Sequence, residues 1–168
     1  KNMMRRNSTM SACIILVSGL LSSPAFSADF QSKYYDLPLT NDWMAQKVKD
    51  VNVPAGGDAT LFASQKFGEG VLITVMPSDV AAKDAADKMA QSYKQQGMRI
   101  IAGPVQIPGQ NSYRFTYVSA NKKMRAITFV TSNGKNLYQI SVLGRQGTQG
   151  TYLLKGLKPK EEGLFPKL

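Results

Sequence analysis

The sequence predicts an α+β fold: one antiparallel sheet, made of a hairpin and a later β-meander, with one long helix packed on one face. Three observations predict it. A single stretch, from Ser78 to about Gln96, has clean helical periodicity. Two β-rich runs joined by a short glycine-containing link come before it, and four more with turn residues between them come after. Strands grouped around one helix, rather than alternating regularly with helices, indicate an antiparallel sheet layered by that helix.

Residues 28–40 read as an extended arm with Tyr34-Tyr35 and Leu37-Pro38-Leu39. Thr40 or Asn41 can cap a short helix through Trp43, Met44, Lys47, Val48 and Val51, although the valines also suit a strand. Residues 54–58 form a turn. Residues 59–65 and 71–76 form a hairpin, and Pro77 ends its second strand. Ser78 and Asp79 open the long helix as cap and first-turn acid. Ala82, Ala85, Ala86, Met89, Ala90 and Tyr93 make one apolar stripe, small enough to lie close on a sheet. Asp84 and Lys88 pair on the wet side. Gly97 supplies a left-handed stop.

The strand over 98–107 is broken by Gly103-Pro104, so it is an edge or bulged strand. Residues 112–118 alternate aromatic with polar. Residues 123–131 are apolar on both faces toward one end. Asn133-Gly134 is a hairpin turn into the strand over 137–143. Residues 148–157 form a last short helix. Gly144, Gly147 and Gly150 before and within it lack both the Walker and the dinucleotide spacing, so they read as a flexible connection. A charged C-terminal tail, 158–168, follows a single domain over 28–157.

The front of the chain has its own logic. Arg5-Arg6 precede an apolar run from Ala12 to Leu21, and Pro24-Ala25-Phe26-Ser27 follows. These are the three parts of a secretory signal peptide, with cleavage expected after residue 27. Its apolar core is short for a membrane span, and Cys13 stands at its start rather than at a lipidation site. The expected location is the periplasm, or the medium. Cleavage removes Cys13, the one cysteine, and with Lys1, Arg5 and Arg6 it lowers the formal charge from +10 to +7. A cysteine-free exported domain of this size suits a bacterial periplasm better than a disulfide-dense secreted scaffold.

With no His and no Cys, the folded chain lacks the parts for Ser-His-Asp, Cys-His and thiol redox chemistry. It also lacks the usual zinc and haem ligands. The acids offer no calcium-loop spacing, and Asp84 with Asp87 reads as a solvated helix face. The expectation is therefore no enzyme activity, no cofactor and no metal.

The basic residues Arg114, Lys122, Lys123, Arg125, Lys135 and Arg145 come from neighbouring strands and turns, with Tyr113 and Tyr117 close in sequence. Arg and Tyr are favoured in binding hot spots, so these eight are the candidate partner-binding residues. The competing reading is a solvated outer face with the aromatics turned inward, because outward Lys and Arg also guard sheets against aggregation. The charges look spread along the chain, and solubility alone could account for them. Trp43 reads as a core plug.

Four features in order resemble the PsbP/DcrB-like group of small exported or lumenal proteins. They are Leu37-Pro38 with Asp42-Trp43, the strand over 71–75, the alanine-rich helix with Gly97, and the strands over 113–117 and 125–130. The resemblance covers most of residues 37–143. It implies a non-enzymatic binding or assembly factor with no shared catalytic set. Several bacterial members are lipoproteins, and this chain has no lipobox. The expected partner is an acidic exported or envelope protein, with an inhibitor or immunity role as the sharper form. Anionic lipid, glycan or a small molecule between helix and sheet, against Met89 and Tyr93, is the alternative. Nucleic acid is not expected outside the cytoplasm.

Overall fold

The computed structural model describes residues 29–48, 53–121, 123–144 and 146–168. The expected signal peptide lies outside the described residues, as do Lys122 and Arg145.

The chain begins with two short strands, β1 (Phe30–Gln31) and β2 (Tyr35–Leu37). Next come β3 (Met44–Lys47), β4 (Asp58–Ser64) and β5 (Glu69–Pro77), then the helix α1 (Ala82–Gln95). A meander follows: β6 (Arg99–Gln106), β7 (Ser112–Val118), β8 (Arg125–Ser132) and β9 (Asn136–Gly144). The chain closes with α2 (Thr148–Leu154) and β10 (Lys158–Pro159). The main sheet has seven strands in the order β3-β4-β5-β9-β8-β7-β6, and a three-stranded sheet has the order β1-β2-β10. All the pairings are antiparallel. The hairpin and the meander are one sheet because β5 pairs with β9.

Alternation puts two cores on the two faces of the large sheet. On the helix face, Ala85, Ala86, Met89, Ala90 and Tyr93 pack on Phe115, Tyr117, Ala126, Val130 and Leu143. The opposite, roofed face packs Phe62, Val71, Ile73, Tyr138, Ile140 and Val142 against Tyr35, Leu37, Leu153, Leu154 and Leu164. The small sheet, α2 and the last residues of the chain form that roof. Residues 158–168 are therefore part of the domain. Leu164 is fully buried, Phe165 packs edge-on to Tyr138 with ring centroids 3.8 Å apart, and Lys160 pairs with Asp36 at 2.9 Å.

Several local expectations are corrected. The short helix expected from Trp43 is the strand β3, whose register Met44↔Ala63 to Lys47↔Thr60 extends the sheet by one edge. Val51 lies outside the described residues. Ser78 does not cap α1: its Oγ accepts from Val80 N, and the helix starts after Ala81 with no side-chain cap. The ion pair on its wet side is Lys83–Asp87, at 2.8 Å, rather than Asp84–Lys88. Gly97 takes φ +84°, as a left-handed stop requires.

The three glycines before and within α2 are a packing device rather than a loose link. Gly147 caps α2 at φ +70°. A Cβ on Gly150 would stand 2.7 Å from Val142 Cγ1 and 2.9 Å from Val71 Cγ2, so only glycine lets α2 sit this close to β5 and β9. Its N–H donates to Glu69 Oε2 at 2.7 Å, which gives a buried carboxylate the first-turn amide of a helix.

Candidate functional site

The roof does not cover the whole sheet. The small sheet, α2 and the tail lie over β3, β4, β5 and β9, and the same face of β6, β7 and the start of β8 is largely open. Side-chain parity fixes what stands there. Tyr113, Phe115 and Tyr117 point to the helix face, so Arg114, Thr116 and Val118 point to the open one. Ala126 packs under α1, so Arg125 and Ile127 are also on the open side. Arg99 is opposite Val118, and Val118 is opposite Arg125, so the three form one row across three strands. Arg99, Arg114 and Arg125 are all exposed. Val105 (49% exposed) faces Arg114 across β6 and β7, and Ile101 (41% exposed) lies on the same edge strand.

The electrostatics of this region are one-sided. Between Asp87 and Glu161 the chain has no Asp or Glu and twelve Lys or Arg. The basic residues are spread along the chain, but the acids are not. Recorded ion pairs join Lys47 with Asp58, Lys66 with Asp42, Lys83 with Asp87 and Lys160 with Asp36. Among the described residues, none involves the three arginines. Like charges gathered on one exposed face repel one another, and an anionic partner relieves that repulsion.

The six described sequence candidates do not all share one surface. Arg114 and Arg125 share the open face, and Lys123 is exposed in the turn between β7 and β8, at the Arg125 end. Lys135 is exposed in the turn at the opposite end of β8, beyond about 24 Å of strand. Tyr113 is half-buried on the helix face. Tyr117 is 1% exposed, with its ring 4.8 Å from that of Tyr93 beneath α1, so it is a core residue rather than a contact surface. Lys122 and Arg145 lie outside the described residues. Sequence reasoning missed Arg99, and it missed Tyr152, which stands 72% exposed on α2. The acid-free span was the signal that could have found Arg99.

The space between helix and sheet, considered for a small molecule as the alternative, is filled. Tyr93 packs against Phe115 and Tyr117, and its hydroxyl accepts from Gln139 Nε2 at 3.0 Å. Thr128 and Ser141 hydroxyls pair at 2.9 Å beside it. A cleft of about 880 Å³ lies instead on the roofed face, at the Lys135 end. Ile140, Leu154, Leu157 and Phe165 line its apolar part, and Asn111, Asn133, Lys155 and Lys167 its polar part.

Two buried phenols sit under the small sheet. Burial in apolar surroundings raises Tyr35 and Tyr138 well above the ordinary 10.0. Among the described residues, no three or more His, Cys, Asp or Glu side chains are grouped so as to hold a metal ion. None of the helices described is long and apolar enough to cross a membrane.

No protein-family model matches the chain, and no curated protein matches it. Among solved structures, one from Bacteroides thetaiotaomicron VPI-5482 is similar at 14% identity and a TM-score of 0.47, covering 82% of this chain. The chain spans 50% of that chain.

Proposed function

We propose that the protein is an exported, non-enzymatic binding module that recognises an acidic protein through the open face of β6, β7 and β8. The observation that carries this reading is a row of exposed arginines that has no ion-pair partner among the described residues, in a span of chain without Asp or Glu. Arginine forks bind carboxylates bidentately and suit interfaces better than lysine. The leader-like N-terminus and the PsbP/DcrB-like layout agree with it, as does the absence of His and Cys after cleavage. An inhibitor or immunity protein for an exported effector or hydrolase is the sharper form of the same reading.

The test is a cross-linked pull-down of the tagged mature protein from envelope extract, run beside an Arg99→Glu/Arg125→Glu variant. The expected result is one stoichiometric acidic protein that the variant loses. Equal capture by the variant moves the interface elsewhere, and reproducible turnover by the pure protein removes the non-enzymatic reading.

The cleft against Ile140 and Phe165 favours a second reading, a small amphiphilic ligand. Its volume is in the range of small-molecule sites, and it combines an apolar floor with a polar rim. Native mass spectrometry that shows a retained small molecule, released by Trp at the half-buried lining residue Leu157 (Leu157→Trp), would favour it.

A further inference from the structure

We infer that the partner docks face-on, placing an aliphatic side chain on Val118 between two carboxylates held by Arg99 and Arg125. This inference rests on the acidic-partner reading and adds the mode and chemistry of recognition. Neighbouring strands are about 4.8 Å apart, so the two arginines, two strands apart, are rooted about 10 Å from each other. Val118 lies between them in register with both. Half-buried Ile127, opposite Thr116, and exposed Val105, opposite Arg114, add aliphatic groups further along the same face. A nucleic acid or acidic glycan chain is dense in anions and presents few aliphatic side groups to cover these residues. A protein surface supplies both.

Strand addition is disfavoured at both sheet edges. On β6 the register shifts twice, between Ile100 and Ala102 and between Ala102 and Val105, and Pro104 has no N–H to donate. On the other edge, β3 is only four residues long and ends with exposed Lys47. A partner therefore meets side chains rather than a backbone edge.

A helical face offers a defined probe. Two Glu seven residues apart stand about 10.5 Å from each other along a helix, with Leu three and four residues after the first on the same side. The test titrates ¹⁵N-labelled mature protein with a sixteen-residue alanine-based peptide of that design. The same titration is run with the peptide whose Leu are replaced by Gln, and with a heparin oligosaccharide. The inference expects amide shifts at Arg99, Val118 and Arg125 with the Leu peptide. Binding is expected to be at least tenfold weaker for the Gln peptide, for heparin, and for the Leu peptide on Arg125→Glu protein with an otherwise unchanged spectrum. If all three probes bind this face alike, the aliphatic contact is wrong and the acidic-partner reading stands. If millimolar Leu peptide shifts nothing, or shifts another surface, both fall.

Discussion

The roofed and open parts of one sheet face solve the same problem differently. Over β3, β4, β5 and β9, apolar side chains are covered by the small sheet, α2 and the tail. Among the charges there, Lys47 is paired with Asp58 and Lys160 with Asp36, and Glu69 is bonded to the N–H of Gly150. Over β6, β7 and the start of β8, nothing in the described chain closes the face. There arginines stand unpaired beside exposed aliphatic groups. The covered part serves stability. The open part contributes little to stability, and it is the surface proposed for the partner.

The comparison is broken most sharply at the roof. Leu164→Ala should cost about 2–5 kcal/mol in chemical denaturation, because a fully buried side chain leaves a cavity between tail and sheet. A cost below about 1 kcal/mol would mean that the tail is not part of the core.

Alkali should attack the same region next. Tyr35 and Tyr138 have folded values raised above the ordinary 10.0. Each is neutral when protonated and loses a proton more easily unfolded. The stability they contribute is therefore fully present below pH 10 and falls as pH rises beyond it, by about 1.4 kcal/mol per pH unit for each phenol. Absorbance titration should show two phenols that ionise only as the protein unfolds. Their ionisation in the folded protein near pH 10 would contradict the sealed roof.

Gly150→Ala tests the seat of α2. Overpacking against Val142 and Val71 exceeds the gain in helix propensity, leaving a loss of about 1–2 kcal/mol. Thermal melting monitored by circular dichroism checks it, and an unchanged midpoint would show that α2 is loosely seated.

The smallest effect on stability belongs to the open part. Arg99→Glu with Arg125→Glu should alter unfolding by no more than about 0.5 kcal/mol, since both side chains are exposed and unpaired. The same variant should lose its partner. A large destabilisation would make these arginines structural and erase the contrast.

Most strands were legible in the sequence because pleated alternation and turn chemistry are local. Residues 112–118 declared themselves, as did Asn133-Gly134 and the alanine stripe of α1. The short segment after Trp43 did not. Its valines and Met44 fit either period, and only pairing with β4 decided for a strand. The proposed binding surface was half legible. Arg114 and Arg125 share a face by parity, which alternation alone can suggest. Arg99 joins them through the β6–β7 register, and Tyr117 leaves them because α1 lies on its side of the sheet.

The sequence by itself determined that this is an α+β chain with one long amphipathic helix and a run of 73 residues without a carboxylate. Those properties follow from short-range spacing and from composition. The tertiary structure alone decided that the charged tail is core, that Gly150 meets a glutamate 81 residues away, and that one arginine row is left uncovered. The physical reason is that β pairing and layer packing join residues far apart in the chain, and local periodicity carries no record of which distant segment will cover a given face.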